Sequence, residues 1–134
     1  MYQSTTQLRV RYSETDRMSY VYYGNYAQYF EVARVEALRS LGISYKEMEE
    51  EGVLLPVSEY KIKFLKPGFY DELLTIKTSI IKLPSVRIIF NYETFNEKKE
   101  LLNTAETILV FVNRETMKPC QAPKHVLEIL EKYF

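Results

Sequence analysis

Only one stretch of this chain carries a long helical pattern, and nearly everything after it alternates like strand, which restricts the folds open to it. From Asn25 to Leu41 the residues Tyr26, Tyr29, Phe30, Ala33, Ala37 and Leu41 recur at three- and four-residue steps, the stripe of a helix with one buried side. Asn25 is expected to cap the first free N–H groups with Gln28 as its capping-box partner, and Gly42 to supply a left-handed stop. Ahead of the helix, Gln7 to Tyr12 sets Leu8, Val10 and Tyr12 against Gln7, Arg9 and Arg11, a strand with one wet face. Ser44 to Glu51 predicts a short helical turn. Val53 to Leu65 then reads as a strand bent early by Pro56, with Tyr60, Ile62 and Phe64 opposing Glu59, Lys61 and Lys63.

Three more strands follow. Leu73 to Leu83 puts Leu74, Ile76 and Ile80 on one face, Val86 to Phe95 alternates about Ile88, Phe90 and Tyr92, and Leu101 to Val112 is the last. Lys66-Pro67-Gly68, Pro84-Ser85 and Asn96 to Glu100 supply the turns. Pro123 is expected to open a closing helix with Val126, Leu127 and Leu130 on its apolar stripe. Consecutive strands joined by tight turns favour an antiparallel sheet over parallel strand–helix–strand units. The expected class is α+β, a five- or six-stranded sheet curved around one long helix. A roll that binds a small apolar ligand is compatible with the same order.

At 134 residues the chain is expected to form one domain, 1–134, with a core of its own. Eighteen basic and eighteen acidic side chains cancel, which argues against a nucleic-acid surface or a membrane-adsorbing face. Cys120 is alone, so no intrachain disulfide and no cysteine cluster for a metal is expected, and a reducing cytoplasm fits. Met1 to Leu8 lacks the apolar core of a signal peptide, and no run approaches the roughly 18 apolar residues of a membrane span. Twelve tyrosines suit subunit contacts as well as cores.

The chemistry is concentrated just before the long helix. Gly24 permits close approach where unpaired N–H groups and the helix dipole favour developing negative charge, and Asp16 lies a few residues upstream. By itself an aspartate after a threonine in a loop is more often a turn former or cap. His125, the single histidine, reads as a surface residue, and there is no Gly-x-Ser-x-Gly elbow for a serine hydrolase. Tyr22, Tyr23, Tyr26 and Tyr29 suit an acyl pocket, a core or a subunit interface.

Asp16-x-x-x-x-Val21-x-Tyr23-x-Asn25-Tyr26, followed by Phe30-Glu31-x-Ala33-Arg34, resembles the hotdog-fold acyl-CoA thioesterases of the 4-hydroxybenzoyl-CoA thioesterase type. The likeness extends more weakly through Lys66-Pro67, Asp71-Glu72 and the later strands. It implies hydrolysis of acyl-CoA, or of an acyl carrier protein thioester, in a homodimer or homotetramer and without a cofactor. It places the catalytic carboxylate on Asp16 and the oxyanion N–H on Tyr23, with Asn25 and Tyr26 at the substrate. Whether Asp16 attacks the thioester or activates water stays open. The family usually has glycine where this chain has Ser19, which leans toward the alternative of a non-catalytic hotdog module that binds acyl thioesters or a protein partner. Coenzyme A carries phosphates, so Lys61, Lys63, Lys66 and Arg87 are candidates to bind them, chiefly Lys63, Lys66 and Arg87.

Overall fold

The helix Asn25–Ser40 sits against one face of a five-stranded sheet in a computed structural model that describes residues 1–134. In chain order the elements are β1 (Tyr2–Arg9), α1 (Asn25–Ser40), α2 (Tyr45–Glu50), β2 (Val53–Leu54), β3 (Val57–Phe64), β4 (Leu73–Ile80), β5 (Arg87–Phe95), β6 (Leu101–Val110), β7 (Val112–Asn113) and α3 (Lys124–Leu130). The large sheet runs β1-β4-β5-β6-β3, with every neighbouring pair antiparallel. This is the expected α+β arrangement, a hotdog sheet wrapped around its helix.

Period-two patterning decides which side faces α1. On β4 Leu74, Ile76, Thr78 and Ile80 are buried, on β5 Ile88, Phe90, Tyr92 and Thr94, and on β6 Ala105, Thr107 and Leu109. From the helix come Tyr26, Tyr29, Phe30, Ala33, Ala37 and Leu38, the two alanines allowing close approach to the sheet. Phe30 stacks on Tyr92 with centroids 4.5 Å apart, and each such buried ring contributes about 1.5–3 kcal/mol. Arg34 is buried on the same stripe, beside Tyr45 and Tyr92.

Several boundaries differ from the expected ones. β1 begins at Tyr2 and pairs with β4 from Tyr2↔Ile80 to Arg9↔Leu73, so the polar N-terminal stretch is strand. Tyr12, expected on the inner face with Leu8 and Val10, is instead exposed and opens a 3-10 turn, Tyr12–Glu14. The strand expected from Val53 to Leu65 is broken at Leu55-Pro56: β2 leaves to pair with β7, and β3 pairs with β6. Proline has no N–H for the ladder, and here only its carbonyl is used, accepting from Val110 N–H at 3.0 Å. The last strand breaks at Phe111 in the same way. Gly42 takes φ 82° and ends α1 as expected.

The start of α1 is built differently. Gly24, not Asn25, is the N-cap, and no side chain caps the helix. Asn25 Nδ2 is drawn off to donate to the Glu14 carbonyl at 2.9 Å, so the expected Asn25–Gln28 capping box does not form. Pro123 is the N-cap of α3 rather than its first residue.

Candidate active site

A cavity of about 310 Å³ opens at the N-terminal end of α1, lined by Asp16, Tyr20, Val21, Tyr23, Tyr26, Phe64, Leu65, Lys66, Pro67 and Gly68. Three pieces of chain meet there: the acidic loop after β1, the first turn of α1, and the end of β3 with the turn that follows. Short bridges hold them in place. Thr15 pairs with Val21 and Tyr20 with Phe69, while Val21 N–H donates to the Gly68 carbonyl at 2.8 Å. Gly68 is needed for closeness, since a Cβ there would lie 3.0 Å from the Tyr26 hydroxyl.

The carboxylate of Asp16 is fixed by its own loop. Its Oδ1 accepts from the Met18 N–H at 2.8 Å and the Tyr20 N–H at 3.2 Å, while the Asp16 N–H donates to the Tyr20 carbonyl at 2.8 Å. Oδ2 has no donor within the chain, so one oxygen is anchored and the other carries no hydrogen bond from it. At the start of α1, the N–H groups of Tyr23 and Gly24 have no acceptor within the chain. The backbone is already helical at Gly24, with φ −66° and ψ −24°. These donors therefore sit at the positive end of the α1 dipole, where an oxyanion is stabilised. The group that comes close to Gly24 is the Tyr22 ring, whose Cε2 would lie 2.9 Å from a Cβ at that position.

Of the residues expected at the site, Asp16, Tyr23, Tyr26 and Lys66 line the same cavity, whereas Asn25, Lys63 and Arg87 do not. Asn25 is committed to the Glu14 carbonyl. Lys63 alternates with Phe64, which faces the cavity, and so projects from the opposite face of the sheet. Arg87 lies opposite Val110, at the far end of β5 from the Thr94–Asn103–Phe64 row that borders the cavity; it lines a separate hollow of about 680 Å³ with Lys82 and Glu59. Lys66 is at the mouth, with its ammonium 2.5 Å from Glu100 Oε2. Burial pushes the Tyr26 phenol up to about 12, so it stays protonated at neutral pH.

The walls Tyr20, Phe64, Leu65 and Gly68 had not been expected at the site. For Gly68 the turn signal Lys66-Pro67-Gly68 was present in the sequence; for the rest only the tertiary pairing brings them there. Of the tyrosines weighed for a pocket, Tyr22 packs on Tyr23, while Tyr29 points away to Glu14.

Ser19 adopts φ 63°, the left-handed conformation that glycine takes without strain, and its N–H still donates to the Asp16 carbonyl at 3.0 Å. The departure from glycine is thus absorbed as backbone strain, which for an L-residue costs roughly 1–2 kcal/mol. Ser19→Gly should relieve that strain at the expense of a looser unfolded chain, for a net gain of up to about 1 kcal/mol with kcat unchanged. Chemical denaturation checks this; a clear loss of stability would mean that the serine side chain holds the loop.

Comparison with known proteins bears on the fold and the family. The family model described as the thioesterase-like superfamily matches residues 10–130. The putative acyl-CoA thioesterase YneP of Bacillus subtilis is 36% identical over 124 residues, spanning 92% of this chain and 90% of that protein. Acyl-CoA thioester hydrolase YbgC of Escherichia coli is 32% identical over 120 residues, 90% of each chain. Among solved structures, a DHNA-CoA thioesterase from Staphylococcus aureus superimposes with a TM-score of 0.87 at 40% identity, covering 100% of this chain and 85% of that one. With the same sheet, the same helix and sequence likeness along nearly its whole length, the chain belongs to the thioesterase-like superfamily and is a hotdog-fold thioesterase.

Proposed function

We propose that this thioesterase hydrolyses acyl-CoA, with Asp16 as the reacting carboxylate and the Tyr23 N–H as the oxyanion donor. The observation that carries this reading is the meeting of a half-free carboxylate and a residue with an unpaired helix-start N–H in one largely apolar cavity. A thioester carbonyl is electrophilic enough to need no full triad. Oδ2 of Asp16 attacks the carbonyl carbon or takes the proton of a water that does so. Negative charge gathers on the carbonyl oxygen, where the Tyr23 N–H holds it. Where water attacks, the C–S bond then breaks, the acyl carbon keeps the water oxygen, and the proton held by Asp16 passes to the departing thiolate. Where Oδ2 attacks, the C–S bond breaks to leave an anhydride between the acyl group and Asp16, which water opens to the free acid and the Asp16 carboxylate, a water proton going to the thiolate.

The acyl group lies along Tyr20, Tyr26, Phe64 and Leu65, and Lys66 at the mouth meets a phosphate of coenzyme A. The test is release of free thiol from a panel of aliphatic and aromatic acyl-CoAs and an acyl carrier protein thioester. At least one acyl-CoA should reach a kcat/KM of about 10⁴ M⁻¹ s⁻¹ or more. Lys66→Ala should raise its KM more than it lowers kcat, because a phosphate remote from the carbonyl is held alike in ground and transition states. Binding across the panel with no thiol released would favour the non-catalytic module.

The open edge of β3 motivates the rest of the reading. Tyr60, Phe64 and Leu65 remain 38%, 49% and 49% exposed along a strand that has no neighbour on that side. A second copy covering it in a homodimer, or a homotetramer built from such dimers, would remove an aggregation-prone edge. A fully active monomer in light scattering would exclude this. No helix is long and apolar enough to cross a membrane, and the cytoplasm, where acyl-CoA is made and the lone Cys120 stays reduced, is the proposed location.

A further inference from the structure

Two residues before Asp16 lies a second carboxylate that the proposed chemistry leaves unused. Glu14 is only 5% exposed, and glutamate is almost never buried without partners. Its side chain is fully engaged. Oε1 accepts from the Arg11 N–H at 2.9 Å and from the Tyr29 hydroxyl at 2.9 Å, while Oε2 accepts from Arg11 Nε at 3.1 Å and Nη2 at 2.8 Å. Its backbone carbonyl accepts twice more, from the Tyr22 N–H at 2.8 Å and from Asn25 Nδ2 at 2.9 Å.

These bonds run to three different places. Arg11 closes the end of β1, Tyr29 and Asn25 belong to α1, and Tyr22 directly precedes Tyr23, the proposed oxyanion donor. In the other direction Glu14 leads through Thr15, bridged to Val21, straight into Asp16. The free oxygen and the free N–H thus hang from the same residue, one by covalent chain and the other by hydrogen bonds. The side chain grips the helix through Tyr29, and the carbonyl grips the segment in front of it. Loss of the carboxylate frees the loop to shift against the helix while the core beneath stays packed.

We infer that Glu14 is a positioning residue, setting the Asp16 carboxylate at its working distance from the Tyr23 N–H by clamping the acidic loop to the start of α1. The inference rests on the Asp16 reading above. Glu14→Gln keeps the shape and one acceptor oxygen but gives up the ion pair with Arg11. It should lower kcat on the order of tenfold, short of the roughly 10²-fold that a 1 Å misplacement costs, with KM little changed. Tyr29→Phe, which removes a single hydroxyl from the clamp, should lower kcat in the same sense by less, and it serves as the probe if the glutamine variant does not fold.

The deciding measurement is the cycle with Asp16→Asn. Placing a charge that is no longer there confers nothing, so adding Glu14→Gln, or Tyr29→Phe, to Asp16→Asn should leave the residual kcat as it was. A residue that merely stabilises the fold, or one that reacts on its own account, would cost the same factor in both backgrounds. That result, or parent-level kcat in both clamp variants, overturns the positioning role while leaving Asp16 in place. Parent-level activity in Asp16→Asn alone would remove the Asp16 reading, and this inference with it.

Discussion

Asp16→Asn should lower kcat by about 10²–10⁴, the range for losing a general base or nucleophile, while the protein stays folded and still binds acyl-CoA. The asparagine oxygen can keep the two backbone bonds from Met18 and Tyr20 that hold Oδ1. The other position becomes an NH₂ group, which donates where Oδ2 accepts and neither attacks carbon nor takes a proton. The Tyr23 N–H remains, so part of the oxyanion stabilisation survives and activity should not fall to the uncatalysed rate. Thiol release under single-turnover conditions, with folding checked by circular dichroism, is the measurement. A variant that turned over its best substrate within a few-fold of the parent would move the chemistry off Asp16.

The largest effect on stability is expected at Phe30. Its side chain is 0% exposed and stacks on Tyr92 at 4.5 Å, with Tyr26 at 6.1 Å and Tyr60 at 6.2 Å. Phe30→Ala leaves a void among rings that cannot collapse into it, because each is anchored by its own backbone, and should cost about 3–5 kcal/mol. Chemical denaturation should show a lower midpoint at an unchanged slope. A loss below about 1 kcal/mol would mean that α1 is not held to the sheet at this point.

Acid should weaken the loop before it touches the core. Burial alone would raise the Glu14 carboxyl, but the Arg11 guanidinium and N–H and the Tyr29 hydroxyl outweigh that and hold it below the usual carboxylate range. A carboxyl lowered in the folded state adds stability above its unfolded pKa of about 4.3 and loses it as pH falls through the folded value. The clamp is therefore intact at neutral pH and is lost as pH falls below the usual carboxylate range.

The fold was legible because its strands alternate strongly and only one helix is long enough to cover them. What failed to show was local. Gln3, Ser4, Thr5 and Thr6 have no apolar amplitude, so the first half of β1 was silent until Tyr2 was seen opposite Ile80. Asn25 is a good cap by type, and only a distant carbonyl on Glu14 decided otherwise. At the cavity, Asp16 and Tyr23 were marked by the family resemblance, and they line one cavity because loop and helix start are neighbours in sequence. Lys63 and Arg87 lie off this cavity because strand parity and register, not charge, decide which lysine or arginine reaches it. Arg34 fell on the buried stripe among tyrosines that lie in other elements, and Glu14 gave no sign of burial, since nothing near it in sequence announces Tyr29 as its partner.

The strand order also fixes a sequence of events in time. β4, β5 and β6 follow one another through short turns, so this meander can pair while the rest of the chain is still open. β1 comes first in the chain yet has to find β4, bringing Leu8 to Leu74 across α1, α2 and β3. Loop closure over that span delays such a pairing relative to the hairpins. The Asp16 loop leaves directly from β1, so the proposed site is assembled late: an intermediate with the meander formed would already be sheltered from aggregation along β5, its central strand, and would still lack the Asp16 loop in place.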